Sequence, residues 1–141
     1  MPRSRSKLAK GTALFTDIHI KFIPKSEMRT GWDYGDYFID DQGALQVRVS
    51  TFQNPDFAFY IAIHEIMEAW RYAKQHGPDF SAIDSFDLAH QDSDEPGRLL
   101  DAPYHAEHML SEAIERLLCR QDGYKWSTYY NTTPLEAPPC P

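Results

Sequence analysis

His64-Glu65-Ile66-Met67-Glu68 sets an imidazole and a carboxylate four residues apart. On a helix this spacing stands the two side chains one turn apart on the same face, where both can reach a common point. Imidazole nitrogen and carboxylate oxygen are both ligands for a divalent transition metal, zinc above all. Glu65, beside them, is placed to act as general base on a water that such a metal activates. The expected site therefore has His64 and Glu68 as metal ligands and Glu65 as the catalytic residue. A third ligand must come from elsewhere, and Tyr104-His105-Ala106-Glu107-His108 offers three candidates. His108 is the expected one, because nitrogen donors suit zinc, with Glu107 and His105 as alternatives. At ~100° per residue His108 shares a helix face with Glu115, well away from an apolar stripe of Ala106, Leu110, Ala113, Ile114 and Leu117. If that helix packs on one side only, Glu107 is the better-placed ligand. If the site lies in a groove between helices, His108 serves and Glu115 can orient it.

The elements that position these residues are legible in outline. Asn54-Pro55 is a helix entry, and the helix runs to about His76, where Gly77-Pro78 ends it. Phe59, Ile63, Ile66, Met67 and Trp70 form its apolar stripe, predicted to face the core, with His64 and Glu68 along its border. Ile18–Ile23 alternates as a strand. Tyr37–Ile39 and Ala44–Ser50 flank the turn sequence Asp40-Asp41-Gln42-Gly43 and predict a β-hairpin. Further helices are expected over 81–91 and 104–120. The fold class is α+β, a small antiparallel β-sheet followed by about three helices. Residues 1–15 read as a basic N-terminal tail, 16–131 as one domain, and 132–141 as a Pro-rich C-terminal tail.

The chain has 141 residues and a net charge of −7, which suits one domain and disfavours a nucleic-acid or anionic-membrane partner. No run approaches the ~18 apolar residues of a membrane span. Cys119 and Cys140 are too few for a disulfide framework and read as reduced thiols, which points to the cytoplasm. Cys119 sits among Leu117, Leu118 and Arg120 and reads as a packed small side chain. The aromatic run Tyr124, Trp126, Tyr129 and Tyr130 is expected to seal one end of the core.

Strands before the His64 helix, and a later helix rich in His and Glu, give residues 36–118 a layout that resembles a minimal zincin-like metalloprotein. In zincins a sheet flanks the active helix and a downstream helix supplies the third ligand. The resemblance implies a zinc-dependent, metallopeptidase-like hydrolase acting on a peptide or other small substrate. The blocks His-Glu-Ile-Met-Glu-Ala (64–69), Ile-Asp-Ser-Phe-Asp (83–87), Glu-Pro-Gly (95–97), Ala-Pro-Tyr-His-Ala-Glu-His (102–108) and Ile-Glu-Arg-Leu-Leu (114–118) also resemble a family of short phage and prophage proteins. That likeness implies no activity. It leaves room for a non-catalytic protein that binds a host protein, with a structural metal or none.

Glu65-x-x-Glu68 followed by Asp84-x-x-Asp87 is, finally, similar to the carboxylate pairs of the all-α nucleotide pyrophosphohydrolases, which hold Mg²⁺ against phosphates. Asp84 stands where that pattern has Glu, and the N-terminal strands are foreign to that fold.

Overall fold

Leu45, Val47 and Val49 alternate with Gln46 and Arg48, and in β3 (Leu45–Ser50) these three apolar side chains are fully buried on one face. The computed structural model describes residues 13–29 and 34–136. β2 (Gly35–Ile39) pairs antiparallel with β3, Tyr37 opposite Val47. The connecting turn closes as its sequence predicts: Asp40 Oδ1 accepts from the amides of Gln42 and Ala44, and Gly43 takes the positive φ of 83°. β1 (Ile18–Ile23) lies on the other side of β3 and runs parallel to it, so the order is β1-β3-β2 and the sheet is mixed. The expectation of an antiparallel sheet is corrected at β1. Alternation reveals a strand but not its partner, and only the β2–β3 pair is joined by a tight turn.

The long helix α1 (Pro55–His76) begins where Asn54 accepts a hydrogen bond from the Asp56 amide and ends at Gly77, whose φ is 85°. It is followed by α2 (Ser81–Ala89), a 3₁₀ turn at Pro96–Arg98, α3 (His105–Gln121) and the short α4 (Trp126–Asn131). The architecture is α+β, with α1 packed on the sheet and against α3.

α1 is rotated from its predicted orientation, and of the two packings open for α3 the groove between helices is the one adopted. On α1 the buried row is Phe57, Tyr60, Ile61, His64, Glu68 and Tyr72, while Phe59 and Trp70 of the predicted core stripe are exposed. On α3 the row His108, Glu112, Glu115 and Cys119 is buried, and Leu110 and Leu117 face outward at 41% and 62% exposure. The two rows of α3 share the same spacing but stand two residues apart, about 200° around the helix. The polar row wins the interior because His108 and Glu115 find partners on α1 and Glu112 finds Arg98 of the 3₁₀ turn, which removes the penalty of burying them.

Phe57, Tyr60, Tyr124 and Tyr129 form an edge-to-face aromatic cluster at one end of the core. Phe15, read as the end of the N-terminal tail, is buried beside Trp70 and Phe80. Leu135, read as C-terminal tail, exchanges backbone hydrogen bonds with Lys25 and Thr51. The basic residues Arg3, Arg5, Lys7 and Lys10, together with Cys140, lie outside the described residues. No helix among the described residues is long and apolar enough to cross a membrane.

Candidate metal centre

α1 contributes His64 and Glu68 from successive turns, and α3 brings His108 across to meet them. His64 Nε2 lies 2.9 Å from Glu68 Oε2 and 3.2 Å from His108 Nδ1, and Glu68 Oε2 lies 3.1 Å from His108 Nδ1. All three side chains are buried. Ligand atoms on a tetrahedral ion with bonds of about 2.0–2.1 Å stand about 3.3–3.4 Å apart, so this triangle is close to the required size. Of the third-ligand candidates, His108 joins the group. His105 Nδ1 instead meets the carbonyl of Gly97 at 3.0 Å. Glu107 is buried but belongs to neither cluster of metal-competent atoms among the described residues.

The two converging groups from α1 are each aimed from behind. His64 Nδ1 is hydrogen-bonded to Glu115, whose other carboxylate oxygen accepts from the Tyr129 hydroxyl. Glu68 Oε1 accepts from the Tyr37 hydroxyl at 2.7 Å, which leaves Oε2 for the shared point. A carboxylate behind a histidine fixes the ring's orientation and raises its basicity, the usual support for a metal-bound imidazole. Glu115 thus supports His64, where the sequence offered it as a possible partner of His108.

Burial alone would lower the His64 pKa, but the hydrogen bonds to Glu115 and Glu68 outweigh it and hold it well above the ordinary imidazole range. Burial would raise Glu68, but the two histidines outweigh that and hold it well below the usual carboxylate range. Burial, reinforced by the Glu68 charge, keeps the Tyr37 hydroxyl protonated as a donor.

The centre opens on a cleft of about 550 Å³. Its lining carries the carboxylates of Asp36, Glu65, Glu68, Asp84, Asp87, Asp94, Glu95, Glu112 and Glu115, with Lys25 as the lone lysine or arginine among the described residues. Glu65 lies along β2 at Gly35, where an added Cβ would fall 2.7 Å from Glu65 Cγ. That glycine gives the carboxylate room beside the strand. Asp84 pairs with Arg29 at 3.2 Å, and Asp87 accepts from the Tyr104 hydroxyl at 2.6 Å. Desolvation, with Glu68, Asp84 and Asp36 nearby and the Tyr104 hydrogen bond opposing, pushes Asp87 up to about 6. The Glu65/Glu68 and Asp84/Asp87 pairs line one cleft but form no common cluster of metal-competent atoms among the described residues.

No protein-family model, no curated protein and no solved structure matches this chain. The site therefore stands on its own chemistry.

Sequence reasoning missed Tyr37 and Tyr129, since a tyrosine on a strand or a short helix carries no sign of a distant carboxylate partner. Glu112 was overlooked because it falls on the polar row of α3, which looked solvent-facing. Cys119 is buried and free, and burial together with Glu115 and Asp122 pushes its thiol up to about 11, which suits a packed thiol and not a nucleophile.

Proposed function

We propose that the protein is a metal-dependent hydrolase of the metallopeptidase type, with zinc held by His64, Glu68 and His108 and with Glu65 as general base. The observation that carries this reading is the convergence of His64 Nε2, Glu68 Oε2 and His108 Nδ1 within 3.2 Å of one another at a cleft, each ligand from α1 held from behind. Three protein donors facing a cleft suit a catalytic ion better than a structural one, which is enclosed by four. A zinc ion there would supply Lewis-acid activation of a water and of a substrate carbonyl. Glu65 would serve as the base there, taking up a proton and returning it to the leaving group. The acidic cleft excludes anionic substrates and favours a peptide or small amide bearing a positive charge. A reduced, cytoplasmic setting belongs to the same reading.

The decisive variant is Glu65→Gln. It retains metal and loses amide hydrolysis in the zinc-loaded protein, whereas undiminished turnover would remove Glu65 from the mechanism.

A second reading is a non-catalytic protein that engages a host protein, with the His/Glu cluster serving structure alone. That reading would use the outward row Leu110 and Leu117 on α3 as its contact surface. The nucleotide pyrophosphohydrolase reading, with Mg²⁺, draws less support, because Asp84 and Asp87 are engaged by Arg29 and Tyr104.

A further inference from the structure

Among the described residues, His108 Nε2 is buried and has no hydrogen-bond partner, on a side chain nine-tenths buried. The groups around it are specific. Glu95 Oε1 lies 3.8 Å away, too far for a hydrogen bond. The turn Pro96–Arg98 rests directly on the ring: a Cβ at Gly97 would fall 2.5 Å from His108 Cγ and 2.6 Å from Nδ1. Glu95 is held at this place by Arg98, which also reaches Glu112 on α3, and by the Tyr130 hydroxyl at 2.9 Å.

We infer that Glu95 is the positioning residue for His108, accepting a hydrogen bond from Nε2–H when Nδ1 is engaged at the metal centre. The inference rests on the metal reading above and adds a second supporting carboxylate to it. A neutral imidazole that gives Nδ1 to a metal carries its proton on Nε2, and a buried N–H without an acceptor is destabilising. A closure of about 1 Å brings Glu95 Oε1 to hydrogen-bonding distance. Glu115 already makes the equivalent contact to His64, so the two histidines of the centre would be supported alike. Glu95, His108 and Glu112 also present atoms close enough to hold a cation of their own. The Arg98 guanidinium already joins those two glutamates, however, and an ion on Nε2 would require the ring to give up its last proton. The acceptor role is the simpler chemistry.

The test is zinc affinity, measured by competition with a chromophoric chelator, for wild type, Glu95→Ala, Glu95→Gln and Glu115→Gln. Thermal melting of the metal-free chains runs alongside and separates lost affinity from lost fold. The expected result is one zinc per wild-type chain and an affinity about 10- to 100-fold weaker in Glu95→Ala. Glu95→Gln restores part of it, since an amide oxygen still accepts, and it carries the test should the alanine variant fail to fold. The cobalt-substituted spectrum shifts in Glu95→Ala, which a purely structural role would not produce. A zinc affinity within twofold of wild type in both Glu95 variants, with Glu115→Gln weakened, would overturn the role of Glu95 and leave the centre standing. Two zinc ions per chain, the second lost in Glu95→Ala, would overturn it by making Glu95 a ligand. No zinc in the wild type would remove the centre and the inference together.

Discussion

Glu115 on α3 grips Nδ1 of His64 on α1, so that the ring presents Nε2 to Glu68 and His108. This contact links the two helices and orients the histidine ring in the candidate centre. Glu115→Gln keeps the side chain's shape and removes its charge. It is expected to weaken zinc binding about 10- to 100-fold, read by chelator competition. An unchanged affinity would reduce the contact to packing.

Gly97→Ala tests the fit of the turn against His108 without touching a charged group. The added methyl falls within 2.6 Å of two ring atoms, so either the ring or the turn must move. A loss of roughly 1–3 kcal/mol in folding stability is expected, with weaker zinc binding by the folded fraction. Denaturant melts and metal titration read the two effects separately. Wild-type behaviour in both would mean that the turn does not bear on the ring.

Asp87 supplies a pH signature. Its folded pKa of about 6 lies above the ordinary aspartate value of 3.8, so between the two the folded metal-free protein binds the extra proton. Its contribution to stability is therefore most favourable below about pH 4 and is lost as pH rises through about 6. Asp87→Asn keeps an acceptor for Tyr104 and removes that loss. Discounted for partial exposure, the gain is about 1 kcal/mol, or roughly 3–4 °C in Tm at pH 7.5, shrinking toward pH 4.5. A gain that grows toward acid would contradict the assignment.

The cleft's charge makes a prediction about ligands. Lysine hydroxamate and glutamate hydroxamate share a metal-chelating head and differ in the sign of the side-chain charge. With zinc-loaded protein, calorimetry is expected to favour the lysine compound by about tenfold or more at low salt, less at high salt. Equal affinities would mean that the carboxylates of the cleft do not select for charge, while the absence of binding by either would count against an accessible ion.

How far the sequence was legible depended on which forces were local. The α1 boundaries, the β2–β3 hairpin and the pair His64–Glu68 were visible because capping, turn chemistry and i,i+4 spacing act over a few residues. β1 was visible as a strand but not as a parallel neighbour of β3, since its partner is set by tertiary packing. The facing of α3 stayed open between two packings for a physical reason. Hydrophobic periodicity assumes that apolar residues go inside, yet here His108, Glu112 and Glu115 are interior because α1 and the 95–98 turn bring partners to them. His108 was the preferred third ligand on donor chemistry, and only the α1–α3 groove brings it to His64. Tyr37, Tyr129 and Glu95 act on the site across long sequence separations and gave no local signal.

Whether His64, Glu68 and His108 hold an ion is tested most directly by elemental analysis of protein purified without a metal-affinity tag, for wild type and His64→Ala. The structure predicts about one zinc or other transition-metal ion per wild-type chain and none in the variant, which follows from three donors converging at one point. A metal-free wild type that also fails to take up added zinc would contradict the account.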